Sequence, residues 1–173
     1  CQNYMRNLGF KIYQTQPMQT GFYCNYGNGN GRMLAVRCDL DALPIQEINT
    51  VDYCSVNPGV SHACGHDAHL TNILGLATYI IETEQTIPGT LRFLFQPAEE
   101  TAPGGAVVMI EGGAINGVDH IIGGHILPSL SPEKIGIRHG SMAAAVEQIN
   151  ISLKGPGGHT SRPVESVDLI WTQ

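Results

Sequence analysis

Three short apolar runs, each stopped by glycine or proline and each followed at once by titratable side chains, constrain this 173-residue chain more than any other feature. The runs are Arg32 to Leu40 (with the core MLAV), Thr90 to Phe95 (TLRFLF) and His120 to Gly123. The MLAV core of the first suggests a buried strand, the second reads as a strong strand, and the third as a strand leading to Gly124-His125. Asp39 and Asp41 close the first, Glu99 and Glu100 follow the second across Gln96-Pro97, and His125 follows the third across Gly124. A fourth strand is expected over Gly21 to Tyr26, separated from Arg32 by the turn-forming run 27–31, GNGNG.

Between the runs lie helical patterns. Leu70, Ile73, Leu74, Ala77 and Ile81 recur at helical spacing, with Asp67 expected as the N-cap. Gly104 to Ile110 should open a second helix, and CQNYMRNLGF reads as the tail of a helix closed by Gly9. Alternating strands and helices predict an α/β fold, a mixed and largely parallel sheet with helices on both faces. Sites in such sheets form outside the carboxyl ends of the strands, and the polar clusters fall at those ends. Ala144 to Lys154 alternates like one more strand, and Ser166 to Trp171 like the first turns of a helix. The catalytic domain is therefore expected over 1–143 and the start of a smaller α+β satellite domain over 144–173. Both termini are expected to be cut ends of a longer polypeptide.

The net charge of −6, with no run of Lys or Arg, argues against nucleic acid or an anionic membrane as the principal partner. No apolar stretch approaches the roughly 20 residues that span a bilayer. The five cysteines (Cys1, Cys24, Cys38, Cys54 and Cys64) are odd in number and irregular in spacing. That is no disulfide framework, so a reducing compartment, the cytoplasm, is expected.

Ser61 to His69 reads SHACGHDAH and concentrates His62, Cys64, His66 and His69. Imidazole and thiolate at alternate positions of a Gly-containing loop can converge on one divalent metal, and the lack of paired C-x-x-C knuckles disfavours a purely structural zinc site. The alternative is a solvated loop whose histidines cap the next helix. Adjacent Glu99 and Glu100 point differently, so one can bind metal while the other stands beside the water as general base. Asp39 and Asp41 could cap the strand end or orient an imidazole.

The segments RCDLDALPIQE, SHACGHDAH, LFQPAEE, GGHILP and ISLKGPGGHTSRP, in that order, resemble the metal-dependent amidohydrolases. That family includes the N-acyl-amino-acid hydrolases (aminoacylases), hippurate hydrolases and auxin-conjugate hydrolases. The resemblance implies that Cys64, His66, Glu100 and His125 bind one or two divalent ions, manganese or zinc first, cobalt or nickel as alternatives. It implies Glu99 as general base, Asp41 as the residue orienting a ligand, and His159 as a satellite-domain group that helps hold the oxyanion. Asp39 stands where more distant relatives place a metal-binding His. The implied substrate is a small N-acyl amino acid, and the implied assembly is a homo-oligomer formed through the satellite domain. The resemblance implies one more metal-binding His, from a part of the family's chain that follows the satellite domain and has no counterpart among these 173 residues. The alternatives are a non-catalytic metal-binding or dimerisation fragment, a dipeptidase, or an acyl-diaminopimelate deacylase.

Overall fold

Thr90–Gln96 is buried at every position, its four apolar residues Leu91, Phe93, Leu94 and Phe95 together with Thr90, Arg92 and Gln96, and the rest of the sheet forms around it. The computed structural model describes residues 1–144, 149–159, 161–165 and 167–169. Five strands, β1 (Tyr13–Gln14), β2 (Phe22–Gly27), β3 (Met33–Asp39), β4 (Thr90–Gln96) and β5 (His120–Gly123), pair in the order β1-β2-β4-β3-β5. The β3–β4 and β3–β5 pairs are parallel, whereas β1–β2 and β2–β4 are antiparallel. The sheet is thus mixed. Its parallel half brings the carboxyl ends of β3, β4 and β5 to one edge.

Alternation along the strands separates two cores. On one face Phe22, Cys24, Val36, Cys38, Phe93 and Phe95 pack with Met5 of α1 (Gln2–Asn7) and with Ala77 and Ile80 of α2 (His66–Glu82). Phe22 and Phe95 are directly opposed in register, and their rings stack at 4.3 Å. On the other face Ala35 and Leu94 meet Met109 of α3 (Gly105–Glu111) and Ala114. Helices on both faces are therefore present, as the sequence pattern implies. Arg92 is buried in β4, but its charge is well served. Its guanidinium lies 4.5 Å from the centre of the Tyr23 ring and donates to Asn25 Oδ1 (2.8 Å), Ala114 O (2.8 Å) and Asn116 O (3.0 Å).

α2 starts four residues before Leu70, and Asp67 is not its N-cap. The cap is Gly65, at φ 81° and ψ 19°, a left-handed conformation that glycine adopts without steric cost. Asp67 instead sits in the first turn, where its carboxylate complements the helix dipole. The apolar period hides this first turn because its inward face carries imidazoles: His66 and His69, spaced i, i+3, are both buried. None of the described helices is long and apolar enough to cross a membrane.

Cys1–Ser129 forms one compact unit and Leu130–Gln173 another, so residue 144, where the sequence pattern starts a satellite domain, lies inside the second. The strand expected over 144–154 is not formed at 149–154, and 145–148 lie outside the described residues. Pro163–Glu165 forms a single 3₁₀ turn, and residues 166, 170 and 171 of the terminal helix expected over 166–171 lie outside the described residues.

Candidate metal centre

The edge formed by the parallel strands collects Asp39 at the end of β3, Asp41 just beyond it, Glu99 and Glu100 beyond β4, and His125 beyond β5. The first turn of α2 adds His66 and His69, and the loop before it adds Cys64. Three groups of convergent donor atoms result among the described residues, Cys64–His66–His125, Asp39–His66–His69 and His66–Glu99–Glu100, each with its ligand atoms within 4.8 Å of one another. His66 belongs to all three.

His66 is 1% exposed, and its Nδ1 donates to the Asp41 main-chain carbonyl at 2.9 Å. A carbonyl only accepts, so Nδ1 carries a proton, and in the neutral ring Nε2 carries the lone pair. That Nε2 is buried with no hydrogen-bond partner, although it lies 3.6 Å from Glu100 Oε1, 3.7 Å from Asp39 Oδ2 and 3.8 Å from Glu99 Oε2. A buried acceptor facing three carboxylate oxygens lacks something positive between them. His125 is arranged in the same way: Nδ1 donates to the Ile126 carbonyl at 2.7 Å, leaving Nε2 3.4 Å from Cys64 Sγ. Metal bonds of about 2.0–2.3 Å in a tetrahedral shell put neighbouring ligand atoms about 3.3–3.8 Å apart. The donor set and its spacings therefore fit a divalent cation.

Asp41 braces this edge from two sides. Its carbonyl also takes Nδ1 of His62 (3.1 Å), and its carboxylate Oδ2 accepts the Glu100 N–H at 2.9 Å, fixing the glutamate loop against β3. Ala98, just before the glutamates, has φ 52°, a conformation that costs a non-glycine residue about 1–2 kcal/mol. Such strain is held by the surroundings, here by the bond from the Gly105 N–H to the Ala98 carbonyl (2.9 Å).

Asp39 is engaged elsewhere. One carboxylate oxygen accepts from His69 Nδ1 at 2.7 Å and the other from Arg37 at 2.9 Å. Burial pushes its pKa up, but the His69 bond and the Arg37 charge outweigh burial and hold the carboxyl below its usual value. The Cys64 thiol is pushed up to about 11 by desolvation, by its hydrogen bond to Glu100, and by the charges of Glu100, Glu99 and Asp39. Without a cation to offset those carboxylates it stays protonated.

The eight titratable residues collected at this edge (Asp39, Asp41, Cys64, His66, His69, Glu99, Glu100 and His125) were all candidates from the sequence. Arg37, which sets the Asp39 carboxylate, was not. The signal was present: Arg37 and Asp39 are two apart in a strand, hence on one face, and Gln96, opposite Asp39 in register, accepts from Arg37 Nε at 2.9 Å. His159 belongs to the second unit. There its Nδ1 takes the backbone N–H of Ser161 (3.2 Å) and lies 2.8 Å from the Ser161 hydroxyl.

Residues 35–171 match the model of peptidase family M20/M25/M40. The chain belongs to this family. Among its M20 relatives, an N-acyl-L-amino acid amidohydrolase of Geobacillus stearothermophilus is 48% identical over 144 residues, covering 83% of this chain and 39% of that protein. An N-acetylcysteine deacetylase of Bacillus subtilis is 40% identical, covering 92% of this chain and 42% of its own length. Of solved structures, a dinuclear metal binding peptidase of the M20 family from Bacillus subtilis superposes with a TM-score of 0.68 at 38% identity, over 75% of this chain and 36% of that one. The chain thus spans about two-fifths of the length of these M20 proteins.

Proposed function

We propose that this chain supplies the metal-holding part of a site that hydrolyses the amide bond of small N-acyl amino acids. The observation that carries the reading is the orphaned Nε2 of His66, buried and facing Glu99 and Glu100. The names of the amidohydrolase and deacetylase relatives support the substrate class.

In this reading Cys64, His66, Glu100 and His125 hold one or two divalent ions, with manganese or zinc the first choice. A divalent ion bound there supplies Lewis acidity toward the scissile carbonyl and toward water. The protein does the rest. Asp41 keeps His66 in the tautomer that presents Nε2 and keeps Glu100 in place through its amide. Glu100 is tied further by its contact with Cys64, which suits a ligand. Glu99 makes no such bond among the described residues and is the more exposed of the two, its side chain 40% accessible against 24% for Glu100. It is therefore the carboxylate free to take a proton from water and deliver it to the departing amine nitrogen. His159 is proposed to help hold the oxyanion, and the second unit to carry the contacts of a homo-oligomer.

Glu99→Gln tests the assignment. It should lower kcat on an N-acetyl amino acid by about 10²–10⁴-fold, the usual contribution of a general base, with metal content unchanged. Retained kcat with metal bound would remove Glu99 from that role.

A further inference from the structure

His69 stands beside the metal centre but cannot serve it as a ligand in this arrangement, because both ring nitrogens are committed. Nδ1 lies 2.7 Å from Asp39 Oδ1, and Nε2 receives the backbone N–H of Ile126 at 2.9 Å. An amide N–H only donates, so Nε2 carries the lone pair and Nδ1 the proton. Asp39, held ionised by Arg37 and by His69 itself, accepts at the other end. Both bonds demand the same neutral tautomer.

The Ile126 amide is the peptide unit that joins Ile126 to His125, so holding it fixes the backbone on which His125 turns. Little else does. His125 is exposed and follows Gly123 and Gly124, two residues with maximal backbone freedom. The His69 ring also meets the His125 ring edge to face, with centroids 4.5 Å apart. The Ile126 side chain lies close enough to Gly65 that an added Cβ would sit 3.5 Å from it, and Gly65 is the residue between Cys64 and His66. The run Arg37–Asp39–His69–Ile126 thereby connects the interior of β3 to the Cys64–His125 pair.

We propose that His69 is a positioning residue: its neutral Nδ1–H tautomer accepts the Ile126 amide and so presets His125 beside Cys64 for a divalent metal. This rests on the metal reading above. It predicts that the acceptor at the Nε2 position matters, and not merely a polar partner for Asp39.

Two conservative variants separate these roles. His69→Gln puts an amide oxygen near the Nε2 position, keeping an acceptor for Ile126 and giving up the Asp39 bond. His69→Asn puts an amide NH2 near the Nδ1 position, keeping the Asp39 bond and giving up the acceptor. Mn²⁺ and Zn²⁺ affinities, measured by chelator competition in the full protein, should fall about 10–100-fold for His69→Asn and at most a few-fold for His69→Gln, the usual scale for residues behind a ligand. Exchange of the Ile126 amide in the metal-free protein should stay slow in the wild type and in His69→Gln but become fast in His69→Asn. Equal affinity and equal exchange in His69→Asn and wild type would overturn the proposal, as would a His69→Asn that outperforms His69→Gln. Should the variants fail to fold, ¹⁵N NMR of the wild-type imidazole decides: Nδ1–H is expected, and Nε2–H would overturn it. A wild type that binds metal tightly but leaves N-acyl amino acids intact would refute the proposed function and leave this inference standing, since tautomer and exchange are read without metal.

Discussion

Gly105→Ala should disable the glutamate loop from a position that touches no substrate. Gly105 is the first residue of α3, and a Cβ placed on it would lie 1.9 Å from the Pro97 carbonyl oxygen and 2.8 Å from the Pro97 carbonyl carbon. Contacts below 3.0 Å are essentially never made by real Cβ atoms, so the Pro97 carbonyl or the helix start must retreat by at least 1.1 Å. Both partners are backbone, and no flexible side chain can absorb the displacement. The 2.9 Å bond from the Gly105 N–H to Ala98, which holds the strained turn before Glu99, moves with it. Overpacking of this kind costs about 1–3 kcal/mol of stability. A displacement of about 1 Å in a catalytic group costs about 10²-fold in rate. The assays are kcat/KM on an N-acetyl amino acid, metal affinity and thermal denaturation, with Gly75→Ala as the control. Gly75 lies in α2 with nothing within 4 Å of its added Cβ, so that change should stabilise by about 0.5–1 kcal/mol and leave activity alone. A Gly105→Ala protein with wild-type melting and kcat/KM would show that the close approach does not position the glutamates.

Two further outcomes follow from the charges. Because the Cys64 thiol is raised to about 11, metal uptake near neutral pH should release about one proton from it, and affinity should rise with pH; calorimetry in buffers of different ionisation heat counts that proton, and Cys64→Ser should both lose it and bind metal more weakly. Asp39 is held below its usual value of 3.8 when folded, so its contribution to stability is present above that pH and lost as the pH falls through the folded value. Asp39→Asn should therefore be less stable than the wild type at neutral pH, by a margin that shrinks in acid denaturation profiles below about pH 4; a margin independent of pH would contradict the ion-pair assignment.

The strands that build the site were legible as short apolar-rich runs stopped by glycine or proline, most plainly TLRFLF of β4, which is buried throughout although Arg92 interrupts it; β5 carries a similar run, yet is exposed at all four positions. Their parallel alignment was implied by the helices between them, and with it the gathering of Asp41, Glu99, Glu100 and His125 at one edge. The order β1-β2-β4-β3-β5 was not legible, since pairing is a long-range choice that no local pattern records. Nor was β1, a two-residue strand paired antiparallel with β2, where Tyr13 stacks on Tyr23 at 5.1 Å. The first turn of α2 escaped because function replaced its apolar residues with imidazoles, so periodicity failed where the chemistry begins. Asp39 illustrates the remaining limit. Its type and place suit a ligand or a cap, and only the geometry shows it shared between Arg37 and His69. The alternation at 149–154 is a strand pattern that the structure does not form.

The central claim is that Cys64, His66, Glu100 and His125, distant in sequence, share a cation. X-ray absorption at the metal edge of the intact, metal-loaded protein tests it most directly. The account predicts one sulfur at about 2.3 Å together with nitrogen and oxygen ligands at about 2.0–2.2 Å, the sulfur vanishing in Cys64→Ser. A shell of oxygen alone, or one unchanged by that substitution, would contradict it.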